Sequence, residues 1–234
     1  MKIIKTKDYK EMSKKASEII IQEIKKKPTL TIGFASGKTP LGLYKNLTDS
    51  YKKSKTDFSK IKAFNLDEYY PIKRNNKKSF HYYLNKNLFN YINIKKTNIN
   101  LLNSETKSPD KECKNYENKI KKNPIDIQIL GVGINGHIAF NEPGSKLNSK
   151  TRLINLSKET IKINKLKNST KALTMGIKTI MSAKKIILLA SGKNKREAVK
   201  HLLKGKENKN WPVTYLKKHK DLIVIIDKGA GCFL

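Results

Sequence analysis

Three short stretches of this chain carry residue types at spacings suited to chemistry. The first is Gly131-Val-Gly-Ile-Asn-Gly-His-Ile-Ala-Phe-Asn-Glu-Pro-Gly144, where His137 stands among Gly131, Gly133 and Gly136 and Glu142 follows five residues later. An imidazole and a carboxylate on one loop can act as an acid–base pair, because the carboxylate orients the ring and tunes its protonation. A metal site fits less well: HxxxxE lacks the i, i+4 spacing of a helical ligand pair, and no third ligand is near in sequence. A loop histidine bonded to backbone explains the same residues, and position alone leaves both readings open. The second stretch is Gly33-Phe-Ala-Ser-Gly-Lys-Thr-Pro40. Two glycines, two hydroxyls and a lysine before a helix suit a phosphate, since amide N–H groups and the helix dipole favour an anion there. The spacing is neither that of a Walker loop nor GxGxxG, so a nucleotide is not indicated. A tight turn with a Ser or Thr helix cap fits equally well. The third is Asp67-Glu68, two acids at the end of an apolar run.

These stretches must be held by something, and the hydrophobic pattern says what. Met12, Ala16, Ile19, Ile20 and Ile24 repeat with a helical rhythm over 8–27, ending before Pro28. Pro40 opens a second helix over 40–52, and a third is expected around 79–91. Short apolar, β-branched runs lie at 30–34, 61–66, 125–132, 185–190 and 222–226. Strands of this kind separated by helices predict an α/β fold, an open, mostly parallel sheet with helices on both faces. Ligands of such sheets bind beyond the carboxyl ends of the strands, where the Gly, Asp, His and Lys clusters fall. No linker, repeat or composition break divides the 234 residues, so one domain spanning 1–234 is expected.

Composition excludes several classes. No stretch approaches the roughly 18 apolar residues of a membrane span, and the start, MKIIKTKDYKEMSKKA, lacks an apolar signal core. Cys113 and Cys232 form no metal-spaced pair, and two cysteines suggest a reducing, cytoplasmic setting. The formal charge is +32, from 51 Lys plus Arg against 19 acids. Three of those bases are Arg (Arg74, Arg152 and Arg196), 48 are Lys, and there are 23 Asn. Lys scattered from end to end reads as a solvated surface rather than a nucleic-acid-binding face, and no specific nucleic-acid partner is expected.

Taken in order, Gly33-Phe-Ala-Ser-Gly-Lys-Thr-Pro40, Phe64-Asn-Leu-Asp-Glu-Tyr69, the loop Gly131 to Gly144 and Ala172-Leu-Thr-Met-Gly-Ile177 resemble the glucosamine-6-phosphate deaminase family. Lesser markers agree: Ser79-Phe-His-Tyr-Tyr83, Cys113 to Glu117, Thr151-Arg152, Trp211-Pro212 and His219. The related 6-phosphogluconolactonases share the fold but lack FNEP after the Gly-His pair. The resemblance covers about residues 1–230 and implies a Rossmann-like sheet and conversion of D-glucosamine 6-phosphate and water to D-fructose 6-phosphate and ammonia, with no metal or organic cofactor. It implies that His137 and Glu142 open the sugar ring, that Asp67 moves the C2 proton, and that Ser36, Gly37, Lys38, Thr39 and Lys195 bind the phosphate. A galactosamine 6-phosphate enzyme, a lactonase and a non-catalytic sugar-phosphate binder are the alternatives.

Three positions depart from the family pattern. Asn135 stands where many members have Asp, and an amide can orient His137 without carrying a proton. Leu166 stands where an Arg often reaches the phosphate, leaving Lys165 or Lys167 to substitute. Ile154 replaces a Lys of the activator-regulated hexameric members. With the short distance from His219 to the end of the chain, this implies an unregulated monomer or small oligomer.

Overall fold

The computed structural model describes residues 1–163, 166 and 170–232. Its first half runs β1 (Lys2–Thr6), α1 (Tyr9–Lys26), β2 (Thr31–Phe34), α2 (Leu41–Lys52), β3 (Lys62–Asn65), β4 (Asp67–Tyr70), α3 (Phe80–Asn87), β5 (Ile99–Asn100) and α4 (Pro109–Lys122). The second half is β6 (Ile127–Gly131), β7 (Arg152–Asn155), α5 (Lys158–Ile163), β8 (Lys171–Thr174), α6 (Ile177–Met181), β9 (Lys185–Ala190), α7 (Arg196–Lys204) and β10 (Leu222–Asp227). Asp8 caps α1 by accepting the Glu11 N–H at 2.8 Å, and Met12, Ala16, Ile20 and Ile24 form its buried stripe.

Seven strands form one sheet in the order β1-β10-β9-β6-β2-β3-β5, every neighbouring pair parallel. From β2 the chain builds outward to β3 and β5, then returns to the other side of β2 with β6 and continues to β9 and β10. The direction of winding therefore reverses between β2 and β6. At such a reversal the loops leaving adjacent strands diverge and open a crevice at the carboxyl ends. The two loops beside it here are 35–40 and 132–145.

The structure corrects the sequence expectation at one place that matters. The strand expected over 61–66 stops at Asn65, and Asp67 begins a separate strand. That strand, β4, joins β8 and β7 in a three-stranded antiparallel sheet, order β4-β8-β7, which the apolar pattern does not reveal. Its register pairs Asp67 with Thr174, and Thr174 with Arg152. The edge strands β1 and β5 were also not expected.

Alternation along β4 sends neighbouring acids to opposite sides. Glu68 turns into the fold and is fully buried. Its carboxylate accepts the N–H groups of Tyr69, Phe80 and His81, each at 2.9 Å, and the Ser79 hydroxyl at 2.7 Å. This fastens the start of α3 to β4. Burial pushes the Glu68 carboxyl up, and the donated hydrogen bonds oppose the shift. Replacing Glu68 by Ala leaves those donors without their acceptor. It is expected to cost about 3 kcal/mol or more of stability, read from urea unfolding; a loss under about 1 kcal/mol would show that the cluster is not a structural tie.

Candidate active site

The predicted site residues lie on loops and strand ends that follow the strands of the parallel sheet, and most are held by specific ties. β6 ends at Gly131, where an added Cβ would stand 4.0 Å from Thr39 of the loop after β2, so the end of β6 meets that loop. An added Cβ at Gly133 would fall 2.2 Å from the His137 ring, so this glycine gives the imidazole its place. Gly136 has φ +78, and a Cβ there would strike Trp211. The loop after β6 is fastened to the small sheet by the Phe140 N–H, which donates to Thr174 Oγ1 at 3.1 Å, and by Asn141 Nδ2, which donates to the Met175 carbonyl at 2.8 Å. Thr174 is also the register partner of Asp67. Strand β8 thus connects the His137 loop to the strand that carries Asp67.

Asn135, His137 and Glu142 form one network. Asn135 Oδ1 lies 2.8 Å from His137 Nδ1, and Glu142 Oε2 lies 3.5 Å from the same nitrogen. Asn135 Nδ2 donates to Glu142 Oε2 and to Glu159 Oε2, both at 3.1 Å. An amide nitrogen facing two carboxylates leaves its oxygen facing the ring. Both neighbours of Nδ1 are then acceptors, which places the ring proton on Nδ1 and leaves the Nε2 lone pair free. The other Glu142 oxygen accepts Ser157 Oγ at 3.2 Å and Thr160 Oγ1. Burial alone would raise the Glu142 carboxyl. The His137 hydrogen bond and charge, with the Thr160 and Asn135 contacts, outweigh it and hold the group down at about 2.

Asp67 stands in the opposite environment. It is buried, and its carboxylate accepts a hydroxyl contact from Ser36 at 3.4 Å. Among the described residues it forms no ion pair. Burial, reinforced by the neighbouring Glu68 charge and only weakly opposed by Ser36, pushes its carboxyl up to about 8. Its backbone is fixed by Asn65, whose Nδ2 donates to the Asp67 carbonyl at 2.8 Å. Asn65 is fixed in turn by the Tyr116 hydroxyl, which accepts its N–H at 3.0 Å and reaches its carbonyl at 2.7 Å.

In the loop after β2, the helix-cap explanation fails. α2 is capped by Pro40 with no side-chain hydrogen bond, so Ser36 and Thr39 are not spent on capping. Gly37 has φ +98, a conformation open to glycine. A cavity of ≈ 620 Å³ on the flank of this loop joins Lys38 and Thr39 to Ser191 of the loop after β9, although none of the acid–base residues lines it. Lys195 ends a 3-10 turn in that second loop. Asp227 accepts the Ser191 hydroxyl at 2.5 Å and the Gly192 N–H at 3.0 Å, which fixes the loop's start. Burial lowers the Lys195 ammonium, and among the described residues it has no carboxylate partner.

Leu166 packs on a small apolar cluster of Tyr69, Phe140, Leu156 and Ala172 and offers the crevice no charge. Lys165 and Lys167 lie outside the described residues. Sequence reasoning gave no role to Asn65 and Thr174, although both lie inside the stretches that carry the resemblance, and it missed Ser157, Glu159 and Thr160, which are single polar residues outside any motif. Among the described residues no group of three or more His, Cys, Asp or Glu is placed to hold a metal ion.

A carboxylate tuned high and a histidine–carboxylate network, both at the switch point of a parallel sheet, define an α/β enzyme that moves protons on a small polar substrate. The chain belongs to the glucosamine-6-phosphate isomerases/6-phosphogluconolactonase family, whose pattern it matches over residues 6–224. It is 50% identical over 238 residues to a protein of Clostridium novyi (strain NT) named glucosamine-6-phosphate deaminase, covering 99% of both chains. A protein of the same name from Thermoanaerobacter sp. (strain X514) is 48% identical over 241 residues, covering 100% of this chain and 95% of the relative. A solved structure described as a monomeric glucosamine-6-phosphate deaminase superposes with a TM-score of 0.96 at 38% identity, covering 100% of each chain. A 6-phosphogluconolactonase from Thermotoga maritima shares the fold, with a TM-score of 0.79 at 22% identity over 97% of this chain and 99% of its own.

The Asp67 shift has a sign that can be checked. Its folded value of about 8 exceeds the ordinary 3.8. The protonated form is thus favoured by folding; that contribution is whole below about pH 4 and lost as pH rises through about 8. Asp67→Asn cannot ionise, so its melting temperature is expected to draw ahead of the parent's from pH 4 upward. The gap should level off above pH 8 at up to several kcal/mol. A gap independent of pH in thermal melts would show that Asp67 titrates normally.

Proposed function

We propose that this protein converts D-glucosamine 6-phosphate and water to D-fructose 6-phosphate and ammonia. The observation that carries this reading is the pair of carboxylates tuned in opposite directions, Glu142 to about 2 and Asp67 to about 8, at one crevice. Groups driven apart in this way take separate acid and base roles. His137, oriented through Nδ1, uses Nε2 to take the O1 proton and return one to the ring oxygen, opening the sugar. Glu142 stays ionised and stabilises the imidazolium formed on the way. Asp67 removes the C2 proton as O1 takes one from the C2 ammonium, and Asp67 then delivers its proton to C1, so the aldehyde becomes an alcohol and C2 becomes an iminium. Water adds to C2, ammonia leaves, and the ketose remains. A buried carboxylate with no ion pair among the described residues suits this shuttle, because a proton taken at C2 is held by the carboxyl and then given up at C1.

Ser36, Gly37, Lys38, Thr39 and Lys195 are the phosphate-binding residues in this reading. The whole chain works as one catalytic unit. It acts as a monomer, as its structural relative is described, and in the cytoplasm; among the described residues no helix is long and apolar enough to cross a membrane. A coupled assay for fructose 6-phosphate and ammonia over a panel of phosphosugars tests the activity. Consumption of 6-phosphogluconolactone without ammonia release from glucosamine 6-phosphate would reverse it in favour of a lactonase. Light scattering on a sizing column tests the assembly.

Lys195→Ala is expected to raise KM more than it lowers kcat, because a phosphate contact holds substrate and transition state alike. The loss in kcat/KM should be about 1–3 kcal/mol, the scale of a charged hydrogen bond; unchanged kinetics would make Lys195 one more surface lysine.

Asn135→Asp would set a carboxylate 3.1 Å from both Glu142 and Glu159, where the amide now donates. The single variant is expected to lose at least about tenfold in kcat at pH 8, and Glu159→Gln in the same chain should restore part of it. That corresponds to a coupling of about 1 kcal/mol or more. Additive effects in the double-variant cycle would show that Glu159 does not act on this network.

A further inference from the structure

The loop at 35–40 is gripped from behind by three tyrosines on three helices. Tyr9 of α1 donates to the Lys38 carbonyl at 3.2 Å, and its oxygen accepts the Gly42 N–H at 2.7 Å. Tyr44 of α2 donates to the Ala35 carbonyl. Tyr83 of α3 donates to the Gly37 carbonyl at 2.6 Å. In a trans peptide the carbonyl and the following N–H point in opposite directions. Pinning the carbonyls of Ala35, Gly37 and Lys38 therefore turns the N–H groups of Ser36, Lys38 and Thr39 away from the tyrosines. Among the described residues none of these three N–H groups donates to a protein acceptor.

The conformation of Gly37, φ +98, is what lets successive peptides be set in this way; no described atom lies within 4 Å of where its Cβ would stand, so backbone conformation and not packing requires the glycine. The clamp is itself rigid. Tyr44 is fully buried, its ring meets Tyr83 edge-on at 6.4 Å and Phe34 at 6.0 Å, and α1 packs along α2. Burial pushes the Tyr44 and Tyr83 phenols up, so both stay protonated donors throughout the neutral range.

We propose that Tyr9, Tyr44 and Tyr83 are positioning residues that preset the loop's amide groups for a phosphate monoester. They touch the carbonyl side of the loop and not the ligand. The proposal rests on the phosphate reading of this loop. Amides fixed in advance bind an oxyanion without first being ordered, and affinity gained this way is lost when a single hydroxyl is removed.

The test uses Tyr83→Phe and Tyr9→Phe in the full chain, with glucosamine 6-phosphate as substrate and inorganic phosphate as competitive inhibitor. Each variant is expected to raise KM and the inhibition constant of phosphate together, about three- to tenfold, with kcat within about twofold. Tyr9→Phe is the second probe should Tyr83→Phe not fold. Unchanged constants in both variants would overturn the clamp, and so would an equal fall in kcat and rise in KM with no change in phosphate inhibition. Lys38→Ala and Thr39→Ala separate the two layers. If neither they nor the tyrosine variants change phosphate inhibition, the loop is not the phosphate site and the underlying reading falls with the proposal. If they weaken it while both tyrosine variants do not, the clamp alone falls.

Discussion

Asp67 is a carboxylate kept in the interior with no cation partner among the described residues, and much of the surrounding structure follows from holding it there. Burial of a charge that finds no partner is costly, so the group drifts to its neutral form unless the fold forces the issue. Here the fold holds the backbone and leaves the side chain nearly alone. The Asp67 carbonyl is tied to Asn65, Asn65 to Tyr116 of α4, and the strand to β8. The carboxylate itself keeps one long hydroxyl contact. Rigidity and low solvation together make a base that can take a proton and give it back on one face of a substrate. Tightening the same group with two or three donors would have made it a weaker base and a better structural anchor.

Glu68 and Glu142 show that alternative within the same molecule. Glu68, one residue along β4 and on the other side of the strand, takes four donors and becomes part of the frame. Glu142 takes hydroxyls, an amide and an imidazole, and stays ionised. Three carboxylates of similar chemistry thus hold three roles: the lack of close donors sets Asp67 apart from the other two, and the neighbouring His137 sets Glu142 apart from Glu68. The contrast also explains why β8 matters. Through Thr174 and Met175 it fixes the distance between the environment that is rich in donors and the one that is poor in them.

The parallel sheet was legible because its inner strands are continuous apolar runs; Lys185–Ala190 is found with the bounds expected, and 222–226 within one residue. The small sheet was not legible. Asp67–Tyr70, Arg152–Asn155 and Lys171–Thr174 are four residues each and carry charge at their ends, so periodicity gives them no weight against a loop. Strand β1 is a mostly exposed edge rich in Lys and failed for the same reason. In the site, the Gly-rich loop and the paired acids stood out as residue types, while their partners did not. Ser157 and Thr160 are ordinary hydroxyls in a Lys-rich stretch. Tyr44 is a core aromatic; that its hydroxyl also fixes a carbonyl of the loop at 35–40 depends on three helices meeting there, and no local pattern encodes that.

The neutral residue at 135 gains a physical meaning from its neighbours. Its amide donates and accepts at once: its oxygen accepts the His137 ring N–H, and its nitrogen donates to Glu142 and Glu159. A carboxylate in the same place could satisfy the histidine but not the two acids. Glu159 and the hydroxyls of Ser157 and Thr160 all belong to α5 or the residue before it, and all reach residues 135 or 142. Two of the groups that hold Glu142 ionised therefore arrive with α5. The protonation of the acid–base pair is thus set partly by where that short helix sits.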